Sequence, residues 1–425
     1  MRKAILFLAV AVTAVATTSC GHTANAKPQP AEPQEFETTE EIMTEPAGIH
    51  LSGQQQKFVA GNNAFTLKFL KTINDEDNTG HSFVYSPLSI TYALSMVNAA
   101  AQGATEREIE QTLGFGQGGI QEVNQFCKTL IDSLPAVDSK VRLSIANSIF
   151  VNKDYRLLKP YQTDMQRYFG ALAENMDFSS QKSLNRINAW CDKKTNGMIP
   201  TILDELNPDA VSYLLNAIYF KAEWSNPFEK DLTNDEDFAT AHGAKTMPLM
   251  HQTRNYKHLK NSTFAAVDLP YGNRRWSMTV LLPEEDKTVN DVIDYLAKNG
   301  TSFTDDFVSR KVDLKLPRFE TSSATSNLIG TMQKMGLSRV FDGSAEIPNM
   351  CNSSVFISMM LQKARIKVDE RGSEAAAVTV ITMLKSSAVR QPEEPVVFHA
   401  KRPFVYLIRE ASTGVILFVG KFTGE

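Results

Sequence analysis

Val368-Asp369-Glu370-Arg371-Gly372-Ser373-Glu374-Ala375-Ala376-Ala377-Val378-Thr379-Val380-Ile381-Thr382-Met383-Leu384-Lys385-Ser386-Ser387-Ala388-Val389-Arg390-Gln391-Pro392 is the stretch whose reading decides the fold of this 425-residue chain. It begins as a strand: Ala364, Ile366 and Val368 alternate with Arg365, Lys367 and Asp369. Glu370, Arg371 and Gly372 then read as a turn. Ser373 to Leu384 is almost free of charge and holds neither Pro nor Gly, which is normally core-strand chemistry. No turn returns it to a partner, however, and Lys385-Ser386-Ser387 with Pro392 and Pro395 reads as exposed loop. An ordinary buried strand and an Ala-rich helix are the plain alternatives. A segment that is a loop in one state and a strand in another reconciles the two signals. Ser373, Ala375, Ala377, Thr379, Ile381 and Met383 would share one face, the small residues first. Glu374, Ala376, Val378, Val380, Thr382 and Leu384 would share the other. Small leading residues let such a strand start into a closed sheet without clashes.

Glu370-Arg371-Gly372-Ser373-Glu374-Ala375-Ala376-Ala377 resembles the hinge of the serpin family: an acid, a base, Gly, Ser or Thr, Glu and a run of Ala. Further blocks carry the same resemblance in the same order. Phe83-Val84-Tyr85-Ser86-Pro87 opening a small apolar helix matches the family's early signature, and Asn216 to Trp224 matches a buried strand ending beside the opening that receives the hinge. Phe398 to Val405 resembles the C-terminal signature, with Lys401 where a carboxylate or amide is usual. Ser86, Ser89 and Asn216 match the polar cluster at the middle of the sheet. Gln362 stands where inhibitory members often carry His, and a Gln amide can still donate and accept hydrogen bonds. The resemblance covers about Gln54 to Glu425.

Composition fits a large globular protein, with 42% apolar and 22% charged residues. The net charge of −4 gives no basic field for nucleic acid. Four cysteines are too few for a disulfide scaffold, and Cys127, Cys191 and Cys351 read as buried small apolar residues, with one disulfide left open. The seven histidines are scattered without ligand spacing, so no metal and no cofactor is expected. H-E-x-x-H, C-x-x-C, G-x-S-x-G and P-loop patterns are missing, so the chain is not expected to be an enzyme. Gly114, Gly116 and Gly119 satisfy G-x-G-x-x-G but follow a helix and not a strand, so a flexible connection is expected and not a dinucleotide turn.

Residues 1–19 read as a signal peptide, charged at Arg2 and Lys3 and apolar from Ala4 to Ala16, a run too short to span a membrane. Thr17-Thr18-Ser19-Cys20 resembles a bacterial lipobox, with Thr17 where Leu is preferred. A lipid on Cys20 would anchor the chain at the periplasmic or cell-surface face of a membrane. Cleavage after Ala24-Asn25-Ala26 would instead release it as a soluble secreted protein. Residues 20–52, rich in Pro, Glu, Gln and Thr, are expected to form a disordered tether, and 53–425 one domain.

The remaining pattern predicts helices from about Gln54, over Thr105 to Leu113 (with Thr105 capping and Glu108 reciprocating), Tyr161 to Phe169, Leu184 to Lys194, Asn290 to Lys298 and Leu328 to Met335. It predicts strands over Val141 to Val151, Val312 to Phe319, Phe356 to Val368, Phe398 to Ile408 and Val415 to Phe422. Val267 to Tyr271 and Ser277 to Leu282 are expected to form a hairpin across Gly272-Asn273.

The resemblance implies a mixed α+β fold with three β-sheets, about eight or nine helices and an exposed reactive-centre loop. It also implies a monomeric suicide inhibitor of serine proteases and, in some members, cysteine proteases. The protease cuts the loop as bait and forms an acyl-enzyme. The freed hinge side then inserts into the large sheet, and the protease is dragged away and distorted before water can release it. Backbone hydrogen bonds and burial of residues such as Ile381 and Met383 would together supply on the order of 10 kcal/mol or more. Family spacing from Glu370 puts the cut at Ser386-Ser387, which suits an elastase-like pocket. One step earlier, Lys385-Ser386 suits a trypsin-like one. A non-inhibitory ligand carrier or chaperone is the alternative, although such members usually carry bulky or charged hinges.

Overall fold

A computed structural model describes residues 48–77, 79–323, 327–373 and 394–425. All of them fall within one unit, Pro46–Glu425. In chain order, α1 (Gly53–Glu76) precedes β1 (Phe83–Tyr85), α2 (Pro87–Asn98), α3 (Gly103–Thr112) and α4 (Ile120–Ser133). Next come β2 (Arg142–Asn152), α5 (Lys159–Phe169), β3 (Leu172–Met176), α6 (Gln181–Lys194) and β4 (Ser212–Glu223). The middle holds β5 (Asn234–Thr240), β6 (Gly243–Lys260), β7 (Phe264–Tyr271), β8 (Trp276–Pro283), α7 (Val289–Asn299), β9 (Val308–Pro317), β10 (Phe319–Ser322) and α8 (Ile329–Lys334). The last elements are β11 (Met359–Lys363), β12 (Arg365–Asp369), β13 (Gly372–Ser373), β14 (Val396–His399), β15 (Phe404–Glu410) and β16 (Ile416–Phe422).

The fold is the mixed α+β architecture expected, with eight α-helices among the described residues. Hydrogen bonding joins the strands into two networks. One runs β10-β12-β13-β4-β2-β3, with β11 also on β4; the other runs β1-β16-β15-β8-β7-β6-β9-β14, with β5 also on β6. The second network contains two of the three expected sheets, because the 18-residue strand β6 belongs to both. Its first part pairs with β5, its middle and later part with β9, and its end with β7.

Helix α2 is buried along its whole length, with its apolar residues spread around the helix and not confined to one stripe, as a helix inside a protein requires. It packs between β16 of one network and β4 and β2 of the other. On the far side of the seven-stranded sheet, Leu184, Ile187 and Cys191 of α6 cover Phe150, Tyr213 and Leu215. Strands β2 and β4 are therefore covered on both faces. Each fully buried Leu, Ile or Phe there contributes about 1.5–3 kcal/mol.

Several local expectations are corrected. Helix α3 starts two residues before Thr105, which is itself buried and accepts from the Glu346 N–H at 2.9 Å. The Glu108 carboxylate reaches across the fold to the N–H groups of Ser338 and Arg339 at 2.9 and 2.8 Å. The strand over Phe356 to Val368 breaks at Ala364, whose N–H bonds the Ser323 hydroxyl at 2.8 Å. The strand over Phe398 to Ile408 divides as well: β14 lies parallel to β9, and the chain then crosses at Pro403 to begin β15.

Candidate functional site

The residues read from the sequence as a hinge begin inside the sheet. Gly372 and Ser373 form β13, antiparallel to both neighbours: Gly372 pairs with Asp369 and Glu223, and Ser373 with Val368 and Ala222. Below them the same seam is closed, since β11 pairs directly with β4 from Met359↔Tyr213 to Lys363↔Ala217. The seam thus holds the two residues of β13 at one end and is closed by β11 from Tyr213 to Ala217.

Local chemistry explains the placement. Gly372 has φ of +148°, and a Cβ there would sit 2.1 Å from the Ala222 carbonyl oxygen and 2.7 Å from Glu223 Cα. Only Gly lets the turn approach β4 this closely. Trp224 ties the turn down: its N–H donates to the Arg371 carbonyl at 2.7 Å and its indole N–H to the Asp369 carbonyl at 2.9 Å. Glu370 is buried, accepts from the Arg318 guanidinium and from the Thr233 hydroxyl at 2.9 Å, and offers its carbonyl to the Phe228 N–H at 2.8 Å. Burial pushes its carboxyl upward, but Arg318, a backbone N–H and Thr233 outweigh that and leave it below the ordinary value. The Ser373 hydroxyl is buried and shares a 2.8 Å hydrogen bond with the Tyr271 hydroxyl. The Tyr271 ring stacks on Trp224 with centroids 4.3 Å apart and planes 8° from parallel.

The polar cluster assembles further down the seam. Gln362 on β11 faces Asn216 on β4, and Asn216 faces Asn147 on β2. The Gln362 side chain accepts from the Ser86 N–H at 2.8 Å and donates to the Ser86 carbonyl and to Asn216 Oδ1, both at 2.9 Å. Asn216 donates to the Ser89 hydroxyl and to Asn147 Oδ1, both at 2.6 Å. The Ser86 hydroxyl donates to the Leu417 carbonyl on β16 at 2.7 Å. Gln362 therefore links the central sheet to the start of α2, and Ser86 carries the link to the other network.

The structure thus brings Ser86, Ser89, Asn216 and Gln362 together, and separately gathers Trp224, Glu370, Gly372 and Ser373. Glu374, Ala375 to Ala377, the bonds at Lys385, Ser386 and Ser387, and Cys20 lie outside the described residues. Asn147, Tyr271, Arg318 and Thr233 were not foreseen. Asn147 carried a signal, being an amide in the middle of an otherwise buried strand; the other three are recruited from distant elements. Lys401, the departure in the C-terminal signature, pairs with Glu236 on β5. Cys127, Cys191 and Cys351 are free and buried. Among the described residues no group of His, Cys, Asp and Glu could hold a metal ion, and no helix is long and apolar enough to cross a membrane.

A mixed fold in which two residues after a tight turn pair between two strands of the central sheet is a distinctive arrangement. The model of the family described as serpin (serine protease inhibitor) matches residues 60–424, and the chain belongs to that family. It is 30% identical over 375 residues to an uncharacterized serpin-like protein of Thermococcus kodakarensis, covering 87% of this chain and 86% of that one. The crystal structure of tengpin, a thermophilic serpin in its native state, superposes with a TM-score of 0.79 at 26% identity, over 89% of this chain and 96% of that one. Human thyroxine-binding globulin in complex with thyroxine gives 0.78 at 27% identity, over 87% and 98%.

Proposed function

We propose that this chain is a suicide-substrate inhibitor of serine proteases, of trypsin-like or elastase-like specificity, with cysteine proteases as further targets. Cleavage at Lys385-Ser386 or Ser386-Ser387 would leave the protease as an acyl-enzyme on a strand that then inserts between β12 and β4. The observation that carries this reading is the pairing of Gly372 and Ser373 with both neighbours, which sets register and direction for the residues that follow. Insertion must part β11 from β4, and Gln362 is the side chain whose hydrogen bonds bridge that seam. Residues 1–19 would direct export, Cys20 would carry the lipid, 20–52 would tether the domain over 53–425, and the inhibitor would act as a monomer outside the cytoplasm.

The chain from residue 21 onward is mixed with trypsin, an elastase, subtilisin and papain, then analysed on denaturing gels with mass spectrometry. A species at the summed mass supports trapping, and the released C-terminal peptide fixes the cut. Clean cleavage with no covalent species for every protease overturns the reading. The likeness to thyroxine-binding globulin favours a carrier as the second reading. A carrier whose nicked loop leaves thermal stability unchanged would be separated by that measurement from an inhibitor, in which insertion raises it.

A further inference from the structure

A cleft lies beside the turn that leads into β13. It measures about 330 Å³ and is lined by Lys230, Arg318, Lys367, Asp369, Glu370 and Arg371. Every lining residue is ionisable, so nothing there suits an apolar ligand. The cations come from separate elements. Lys230 opens a short turn, Lys230–Leu232, beyond β4, Arg318 joins β9 to β10, and Lys367 lies on β12 shortly before Arg371.

Four cations face two carboxylates, and the carboxylates are already engaged. Glu370 is buried and accepts from the Thr233 hydroxyl and from Arg318 Nη2. Asp369 Oδ1 accepts from the Arg371 N–H at 2.9 Å. Glu320, opposite Lys367 on the β10–β12 ladder, gives its carboxylate to Arg365 instead. Among the described residues the side chains of Lys230, Lys367 and Arg371 have no ion pair and no hydrogen bond, and Arg318 uses only Nη2. Like charges that face one cleft repel one another, and a concave wall of one sign concentrates its field on a counter-ion that enters.

We propose that this cleft binds a small hydrophilic anion of the phosphate class, either the free inorganic ion or a monoester on a polar body such as a polyol. The four cations exceed the two carboxylates by two charges. A phosphate monoester brings about −1.5 to −2 and three acceptor oxygens, which answers that surplus. A carboxylate brings one charge and two oxygens and answers half of it. Arg318 and Arg371 supply planar forks that match phosphate oxygens in pairs, and Lys230 and Lys367 supply point charges. The volume lies at the lower end for ligand sites, about 300–1,000 Å³, so the body that carries the phosphate is small.

The position of the cleft gives binding a consequence. Lys230 follows β4 and Lys367 lies on β12, and Gly372 and Ser373 pair between those two strands. An anion held by both lysines ties the two sides together beside the turn. It favours the paired arrangement of β13 in proportion to its concentration.

The test reads binding and not inhibition. The Trp224 indole N–H donates to the carbonyl of Asp369, part of the cleft wall, at 2.9 Å. In the full chain with isotope-labelled tryptophan, the three indole N–H resonances are followed by NMR. Sodium phosphate and glycerol phosphate are added in separate titrations, each against sodium chloride at matched ionic strength. The Trp224 signal is expected to move and saturate while those of Trp190 and Trp276 stay. A lower midpoint with glycerol phosphate assigns the ester, and an equal or lower one with the inorganic ion assigns the free anion. Lys230→Ala combined with Lys367→Ala should raise the midpoint about tenfold. Both lysines are exposed and unpaired, so the fold does not depend on them. Lys257→Ala combined with Lys311→Ala removes the same charge about 20 Å or more away along β6 and β9 and should leave the midpoint unchanged. The proposal is overturned if chloride moves the Trp224 signal as far as either phosphate does, if that signal does not saturate, or if the cleft variant keeps the parent midpoint.

Discussion

The hydroxyls of Tyr271 and Ser373 lie 2.8 Å apart although the residues are separated by 102 positions and belong to different hydrogen-bonded networks. Both are fully buried, so each satisfies the other in a place water does not reach. Tyr271→Phe should leave the Ser373 hydroxyl without this partner, at a cost of about 1–3 kcal/mol. Denaturant unfolding would show the loss, and the Gly372 and Ser373 amides would exchange faster. Unchanged exchange at those two amides would mean that the ladder alone holds the hinge.

Ser373→Arg places a charge where no exposed surface exists. An unpaired buried charge is costly enough to expel the segment. The expected result is clean loop cleavage with little covalent complex, at a hinge cost of several kcal/mol. An inhibition rate equal to that of the parent protein would remove insertion as the mechanism.

Gln362→Ala strips partners from Ser86 and Asn216 at once. Each buried group left unsatisfied costs about 1–3 kcal/mol, so stability should fall by roughly 2–5 kcal/mol. Chemical denaturation gives the number directly. A loss under about 0.5 kcal/mol, the range of ordinary surface changes, would show that water replaces the amide.

Glu370 sets the acid limit of the hinge. Its folded-state carboxyl sits below the ordinary 4.5, so the stability it contributes is present above that value and is lost as pH falls through the lowered one. Protection of the Trp224 and Phe228 amides, which bond the Arg371 and Glu370 carbonyls, should therefore fall, relative to intrinsic exchange, only in acid. With Arg318→Ala the desolvation dominates, and the same loss should begin at higher pH. An unmoved acid limit in that variant would detach Arg318 from the hinge.

The internal cysteines should be inert in the native protein. Burial pushes the Cys127 and Cys191 thiols up to about 12 and Cys351 to about 11. Thiolate is the reactive form, so alkylation near neutral pH should occur only after unfolding. Mass spectrometry before and after denaturant reads this as no adducts and then three on these residues.

Much of the fold was legible because its elements announce themselves locally. Helix α2 is made of apolar and small residues, β2 alternates, and the hairpin of β7 and β8 turns at Gly272-Asn273. Strand β6 was missed: Pro248 interrupts it and its middle is polar and exposed on both sides, so no period of two survives. Helix α4 was missed although Val123, Phe126, Cys127 and Leu130 hold helical spacing. In the hinge site, Gly372, Ser373 and Glu370 could be read from one contiguous motif. Tyr271 and Arg318 could not, because their part depends on which distant strand ends the fold brings to the same place. His251 and His399 looked scattered for the same reason, since only the register across β9 places both opposite Lys315.

Strand β6 passes from the β5–β9 side of its network to the β7 side without a break. Strand β14 is held by β9, which pairs along β6, and Tyr271 sits on the strand that follows β6. The holds at the two ends of the 374–395 stretch therefore belong to one continuous frame, and none of their side chains lies within that stretch. The stretch is in this sense an exchangeable cassette. On the proposed inhibitory reading, its sequence could be rewritten to meet a different protease while the residues that hold its two ends stay as they are.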